Sequence, residues 1–217
     1  PLVWRLQQEV AGSGPLGDLA SHLVDIAQFI VGDIAEVAGM AETFIKERPL
    51  PSAMTGLTAT STGSAKELVT VEDACNFLFR FHNGAIGSLE ASRMCPGRKN
   101  YQTFEINGSE GSLSFNFERM NELQFFSRSD ASYAQGFRTI QVTEPEHAYL
   151  EAWWPPGHII GYEHTFIHEI KDLIEAIAGD ELPEPNFADG VKCQAVIDSV
   201  LESITNRQWV EVPQVNL

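Results

Sequence analysis

Two carboxylates and a histidine near the start of the chain have the spacing of one helix face. Asp18, His22 and Asp25 stand at i, i+4 and i+7, so a helix would stack carboxylate, imidazole and carboxylate along one side. The polar side of an ordinary surface helix usually carries lysine or arginine, and this stretch has neither between Leu6 and Lys46. We therefore expect chemistry on this face.

On the residues alone, three interpretations of the face stay open. Asp18 can be the N-cap of a helix that runs on from Leu19, with His22 an imidazole of the core or the surface. Histidine and carboxylate ligands four residues apart can also bind a metal ion. In the third interpretation His22 is a general acid/base that a carboxylate holds in orientation, because imidazole titrates near neutral pH.

The residues before this helix match a dinucleotide-binding fingerprint without its usual setting. Gly12, Gly14 and Gly17 have the spacing G-x-G-x-x-G, and a helix follows them. The fingerprint requires a buried parallel strand directly before the glycines, whereas the polar segment 5–11 precedes them here. We therefore expect a tight turn at the rim of a site rather than a nucleotide loop.

An aromatic, loop-like segment over 144–161 holds further candidates. His158 follows two prolines and a glycine in this loop and is a candidate for a pocket. Trp153 and Trp154 could form a platform on which a sugar stacks, or they could pack against the following helix. His164 and His168 lie four residues apart on that helix, but the H-E-x-x-H order of metalloproteases is absent, which favours a solvated face.

Composition excludes several classes of partner. The 217 residues carry a formal net charge of −16, which opposes binding to nucleic acid and to anionic membrane surfaces. No apolar run approaches the ~20 residues that span a bilayer. Three cysteines, odd in number and far apart, suit free thiols in a reducing cytosol, so we expect a cytoplasmic protein.

Alternating apolar residues predict consecutive antiparallel hairpins. Cys75, Phe77, Phe79 and Phe81 share one face of a strand, and Asn83-Gly84 after it predicts a two-residue turn. A second hairpin is predicted over 104–117, and parallel neighbours would need long crossovers that are absent here. The remaining predicted strands are 35–44, 57–63, 67–70, 123–126, 138–142 and 209–212.

Two further helices follow the strands. The apolar spacing predicts a helix from Tyr162 to Ile177 that ends at Gly179-Asp180, and Asn186 or Asp189 can start a last helix that runs through Ile204. The order of helix, strands and helices predicts an α+β fold. Such antiparallel sheets commonly cover one face with helices and leave the other for solvent or a partner.

The stretch around Asp18 resembles the signature of the Gfo/Idh/MocA oxidoreductases, the relatives of glucose–fructose oxidoreductase and inositol dehydrogenase. The similarity extends from about Trp4 to Val212, nearly the whole chain. The residues that carry it are Gly14-x-Leu16-x-Asp18-x-x-x-His22-x-x-Asp25 with Gly32, Trp4-Arg5, the segments 106–113 and 185–190, and Trp209-Val210.

The resemblance implies that residues 1–217 form a single C-terminal substrate-binding and oligomerisation domain. Family members have an N-terminal Rossmann domain that binds NAD or NADP, followed by a domain with a large open, mostly antiparallel β-sheet and helices packed on one face. The Rossmann domain and the family's catalytic lysine have no counterpart in this sequence. We therefore expect the chain alone to be inactive, and we assign no cofactor-binding or metal-binding residue to it.

The implied chemistry is hydride transfer between a carbinol of a sugar or polyol and a nicotinamide. By this resemblance His22 would remove the hydroxyl proton and Asp18 would orient the substrate or His22. Further substrate contacts are expected from Trp4, Arg5, His158 and Tyr162. The open sheet face is expected to form a homodimer or a homotetramer.

Two other functions remain as alternatives. A non-catalytic assembly domain would use the same carboxylates only structurally. A metal-dependent hydrolase or isomerase would bind a metal ion through His22, Asp25, His158 or His164.

Overall fold

A computed structural model describes residues 1–55, 58–142 and 144–215 of the chain. The described residues divide between two compact units, one formed by Pro1–Pro96 with the chain from Pro185 onward and the other by Gly97–Glu184. The helices and strands are, in chain order, α1 (Gln8–Ala11), α2 (Ser21–Val31), β1 (Ile34–Glu42), β2 (Glu47–Pro49), β3 (Ala53–Thr55), β4 (Thr58–Thr60), β5 (Lys66–Leu68), β6 (Ala74–Phe81), β7 (Ile86–Ser92), β8 (Thr103–Asn107), β9 (Gly111–Asn116), β10 (Glu122–Ser127), β11 (Arg138–Gln141), α3 (Tyr162–Gly179), α4 (Phe187–Asn206) and β12 (Val210–Glu211).

The first unit is built on a four-stranded sheet in the order β12-β1-β6-β7, and every neighbouring pair is antiparallel. Along β6 the predicted face of Cys75, Phe77, Phe79 and Phe81 is buried, because α2 and α4 contribute their apolar sides to the same core. Helix α4 supplies Val196, Ile197 and Val200 to this core, and α2 supplies Val24. Burying one sheet face under helices confirms the predicted α+β arrangement.

The hairpin between β6 and β7 is confirmed, but its turn is one residue longer than predicted. The amide of Gly84 donates to the carbonyl of Phe81 (3.0 Å), and that of Phe81 donates to the carbonyl of Ala85 (2.9 Å). Gly84 has a φ of +90°, which glycine adopts without strain. The side chain of Asn83 donates to the carbonyl of Val31 (2.8 Å), so Asn83 is used to fix the end of α2 and not only to make the turn.

The start of the first long helix differs from the prediction. Asp18 is not its N-cap, because the helix already begins at Pro15 and continues as a π-helical turn, Leu16–Ala20, into α2. Proline suits a first helical turn, since its missing N–H would be unpaired there anyway. The amide of Leu16, in the first turn and therefore without a partner within the helix, donates to Oε1 of Glu72 (2.9 Å).

The second unit has its own antiparallel sheet in the order β11-β10-β9-β8, with stacked Phe104 and Phe115 on neighbouring strands. The predicted hairpin over 104–117 corresponds to β8 and β9. Helix α3 ends as predicted, with Asp180 in the left-handed region after Gly179. The prediction that His164 and His168 form a solvated face is wrong, since both are half-buried and Trp153 contacts both rings.

The remaining predicted elements are found with small shifts. The segments 35–44, 67–70, 123–126, 138–142 and 209–212 correspond to β1, β5, β10, β11 and β12. The segment 57–63 overlaps β4, and Leu57 lies outside the described residues. Asn186 caps α4 together with Asp189, as predicted. That residues 1–217 form a single domain stays a prediction.

Candidate functional site

The first unit contains a cavity of about 270 Å³ beside the start of the first long helix. Three of the predicted site residues, Trp4, Arg5 and Asp18, line it. Four charged side chains line the cavity, the arginines Arg5 and Arg93 and the aspartates Asp18 and Asp198, so their formal charges cancel. An aromatic ring beside charged and amide groups is a lining that suits a neutral, hydroxyl-rich molecule.

Trp4 and Arg5 are positioned by a small second core. Leu2 and Leu6 are buried against Val69 and Val71. The short 3₁₀ turn Trp4–Leu6, which ends at the buried Leu6, leaves Trp4 exposed at the cavity. The guanidinium of Arg5 lies over the Trp4 ring, 4.5 Å from its centroid. The two predicted substrate contacts therefore form one platform.

The Asp18 carboxylate faces two arginines. Its Oδ2 accepts a hydrogen bond from Nη2 of Arg93 (2.9 Å), and its Oδ1 lies 3.9 Å from Nε of Arg5. Asp18 lies in a π-helical turn, Leu16–Ala20, whose residue spacing differs from the α-helical spacing that the predicted stacking of Asp18 on His22 requires. Within the described residues, no hydrogen bond joins Asp18 to His22.

His22 lies in the first turn of α2 with its side chain exposed, and it does not line the cavity. An exposed imidazole at this position is available to a molecule that approaches from outside the chain. Asp25 is used elsewhere, because its Oδ1 accepts a hydrogen bond from the thiol of Cys193 (3.7 Å) and so joins α2 to α4. The structure thus separates the predicted carboxylate–imidazole–carboxylate face into three different environments.

Two predicted substrate contacts belong to the second unit. His158 is exposed, and its Nδ1 lies 2.7 Å from the carbonyl oxygen of Pro155. Tyr162 begins α3 and packs edge-on against Phe117. Trp153 packs against α3 and its indole N–H donates to His168, which supports the packing interpretation of this tryptophan, whereas Trp154 is exposed.

The glycine turn before Asp18 does not fit a dinucleotide. A β-carbon at Gly14 would overlap the carbonyl oxygen of Glu72, and one at Gly17 would lie 2.5 Å from Oγ of Ser13. These glycines let the turn pack onto the chain itself, whereas a nucleotide loop leaves that space to a pyrophosphate. The expectation of a tight turn at the rim of a site agrees with this packing.

Three residues that the sequence reasoning missed hold the site together. Glu72 bonds the amide of Leu16, the buried Asp73 accepts the amides of Phe44 and Ile45, and Arg93 reaches Asp18. The sequence signal for two of them is the acidic pair Glu72-Asp73, which stands just before the predicted strand that begins at Cys75.

The described residues contain no group of three His, Cys, Asp or Glu side chains placed to hold a metal ion. All three cysteines are free, as predicted. Burial, followed by the charge of Glu72, raises the pKa of the Cys75 thiol to about 12, and burial with Asp25 raises the pKa of Cys193 to about 11. Both buried thiols therefore stay protonated at neutral pH and are poor nucleophiles. In the described part of the chain, no helix is both long and apolar enough to cross a membrane.

Comparison with known proteins finds relatives that match the whole chain or nearly all of it. Levoglucosan dehydrogenase of Pseudarthrobacter phenanthrenivorans is 45% identical over 219 residues, which cover 100% of this chain and 56% of the relative. A solved oxidoreductase domain protein from Kribbella flavida is 52% identical with a TM-score of 0.91, over 99% of this chain and 55% of that one. A levoglucosan dehydrogenase solved with NADH and L-sorbose is 44% identical with a TM-score of 0.90, over 99% of this chain and 54% of that one.

The chain thus spans about half the length of the relatives that it matches. The family model of the GFO/IDH/MocA C-terminal domain matches residues 1–114, which include the glycine turn, the helix of Asp18 and His22, and the strands from β1 into β9. This chain belongs to the Gfo/Idh/MocA oxidoreductase family and corresponds to its C-terminal domain.

Proposed function

We propose that this chain is the substrate-binding domain of an NAD(P)-dependent sugar or polyol dehydrogenase and that it carries catalytic residues. The observation that carries the proposal is the cavity itself, where the Trp4–Arg5 platform and the Asp18 carboxylate lie beside the helix of an exposed His22. Support also comes from relatives solved with NADH and with a sugar, levoglucosan or L-sorbose.

His22 is the proposed general base. Its exposed imidazole takes the proton of the substrate hydroxyl as that carbon is oxidised to a carbonyl, and it returns the proton in the reverse direction. Bound NAD or NADP would accept the hydride, and the resemblance assigns its binding to an N-terminal domain outside this chain. Removing the proton as the hydride leaves avoids a charged intermediate.

Asp18 and the platform are the proposed substrate-binding groups. A carboxylate oxygen accepts a hydrogen bond from a sugar hydroxyl, and an indole ring packs against the C–H face of a sugar. His158 and Tyr162, in the second unit, remain proposed substrate contacts on the family resemblance alone. We place the protein in the cytoplasm, where free thiols are usual.

The test uses the full-length protein that contains this chain. We expect turnover with NAD or NADP on at least one member of a panel of neutral sugars and polyols that includes levoglucosan and L-sorbose. Replacing His22 by alanine should lower kcat about 100-fold or more, because a general base contributes about that much.

The matched control is His82→Ala, which removes an exposed imidazole from the loop between β6 and β7. This variant should keep the wild-type kcat and KM. If His22→Ala turns over substrate as fast as His82→Ala, the general-base assignment is wrong.

A second candidate role, assembly, is supported by the outer face of the first unit's sheet. Met40, Leu78 and Ile86 are 70%, 54% and 75% exposed and lie on the face opposite the helices, around the ion pair of Arg80 and Glu36. Exposed apolar side chains grouped on one sheet face are typical of a protein interface. We propose that this face forms a homodimer or homotetramer, whether or not the domain is catalytic.

A further inference from the structure

Arg93 is the side chain that joins the separate parts of the cavity wall. Its Nη2 donates to Oδ2 of Asp18 (2.9 Å), and its Nη1 donates to the backbone carbonyl of Arg5 (3.3 Å). The side chain is 20% exposed, so most of the guanidinium stem is packed in the protein. One planar group therefore fixes both the carboxylate on the π-helical turn and the backbone that carries the Trp4–Arg5 platform.

The two oxygens of Asp18 are left in different situations by this contact. Oδ2 is occupied by Arg93 at hydrogen-bond distance. Oδ1 lies 3.9 Å from Nε of Arg5, which is too long for a hydrogen bond, and within the described residues no donor bonds it. Oδ1 is therefore the acceptor that remains available to a ligand hydroxyl.

The geometry of Arg93 relative to Asp18 is set by one buried dipeptide. The carbonyl of Asp73 accepts the backbone amide of Arg93 (3.0 Å), and the side chain of Glu72 accepts the amide of Leu16 in the turn that carries Asp18 (2.9 Å). Asp73 is 1% and Glu72 9% exposed. Donor and acceptor are thus attached to the same rigid segment, which is the arrangement that preorganises a polar site.

We propose that Arg93 is a positioning residue of the substrate site. It holds Asp18 through Oδ2 so that Oδ1 presents a fixed acceptor to a substrate hydroxyl, and it also holds the backbone of Arg5 in the Trp4–Arg5 platform. This inference rests on the proposed function, and it assigns Arg93 no contact with the reacting atoms.

The test measures coupling between Arg93 and Asp18 in the full-length protein, on the sugar or polyol that it turns over. Arg93→Met should lower kcat/KM about 10- to 100-fold, because a loosened acceptor costs that much in orientation. Arg93→Lys should retain part of the activity, since an ammonium keeps the charge but cannot reach both acceptors with the fork of a guanidinium. In an Asp18→Asn background, Arg93→Met should cause little further loss.

Arg119→Met is the matched control, because it removes an exposed arginine from an ion pair with Glu122 (2.8 Å), and Arg119 does not line the cavity. It should leave kcat/KM unchanged. The unfolding midpoint of every variant is measured as well, so that a loss of kcat/KM caused by lower stability is recognised. The positioning role is overturned if the effects of Arg93→Met and Asp18→Asn are fully additive, or if Arg93→Met keeps the wild-type kcat/KM. In either case the proposed function still stands as long as turnover depends on His22. Absence of turnover in the wild-type protein over the whole panel overturns both.

Discussion

Asp73 illustrates how much of the fold depends on one buried side chain. It is 1% exposed, and its Oδ2 accepts hydrogen bonds from the amides of Phe44 (2.8 Å) and Ile45 (2.9 Å). Its backbone carbonyl bonds Arg93, and its backbone amide donates to the carbonyl of Glu42 (2.8 Å). The side chain thus closes the end of β1 while the backbone closes the end of β7.

We predict that Asp73→Ala lowers the free energy of unfolding by about 3 kcal/mol, since hydrogen bonds to a charged acceptor contribute roughly 1.5–3 kcal/mol each. Asp73→Asn should cost less, because one carbonyl oxygen remains as an acceptor. Urea denaturation followed by circular dichroism measures both variants.

The control for this prediction is Asp33→Asn, which breaks an exposed ion pair with Lys192 (3.2 Å). Exposed pairs contribute about 0–1 kcal/mol, so this variant should unfold close to the wild type. Equal destabilisation by Asp33→Asn and Asp73→Ala would contradict the assignment of Asp73 as the buried anchor.

At the scale of elements, α3 and the loop before it are joined through His168. Its Nε2 accepts the indole N–H of Trp153 (2.7 Å), so the imidazole must be unprotonated at that nitrogen. Its ring stacks on Tyr149 at 4.1 Å, and the Tyr149 hydroxyl donates to Asp172 on the same helix (2.7 Å). Loop and helix are therefore held by a contact that only neutral histidine can make.

Acidification should weaken this junction. Burial, and then the neighbouring His164, lower the pKa of His168 in the folded chain, with Lys171 adding to the effect and Asp172 opposing it. Because the unfolded chain takes up this proton at higher pH, stability from His168 is present above about pH 6.5 and decreases as pH falls below it.

The variant His168→Gln keeps an acceptor without a titrating ring. We predict that its thermal midpoint decreases less than that of the wild type between pH 6.5 and pH 5.5, whereas His82→Gln should follow the wild type. Parallel curves for His168→Gln and wild type would show that this histidine does not set the acid sensitivity.

What the sequence could predict at this scale was local. The alternation of Cys75 to Phe81 predicts β6 because one sheet face is buried, and Asn186 with Asp189 predicts the start of α4 because both cap its free amides. The Leu16–Glu72 bond and the Asp18–Arg93 pair, in contrast, join residues that are 56 and 75 positions apart. No periodicity or capping rule reports contacts of that range, so the wall of the candidate site could be only partly predicted.

At the scale of the whole molecule, the outer sheet face should control assembly. We predict that Leu78→Glu lowers the mass of the full-length protein, measured by size-exclusion chromatography with light scattering, from an oligomer toward the monomer. A charge at the centre of an apolar interface is desolvated without a partner, which opposes association.

Phe29→Glu is the matched control. Phe29 is 86% exposed and lies on α2, which packs on the opposite face of the same sheet. Its substitution should leave the mass unchanged. A wild-type monomer, or an oligomer that is insensitive to Leu78→Glu, would contradict assembly through this face.

The close packing of Gly14 on the backbone of Glu72 also restricts how this sequence can diverge. Any larger residue at position 14 would displace the backbone carbonyl of Glu72, which adjoins Asp73, the residue whose carbonyl accepts the amide of Arg93. A single substitution at position 14 would therefore disturb the cavity wall. Gly12, by contrast, has free space around the position of a β-carbon, but its backbone has a φ of +76° with a ψ of −52°, which lies outside the left-handed helical region and is strained for any residue with a β-carbon. Among natural variants we therefore expect glycine to persist at both positions for different reasons, the close approach of a carbonyl at residue 14 and the backbone conformation at residue 12.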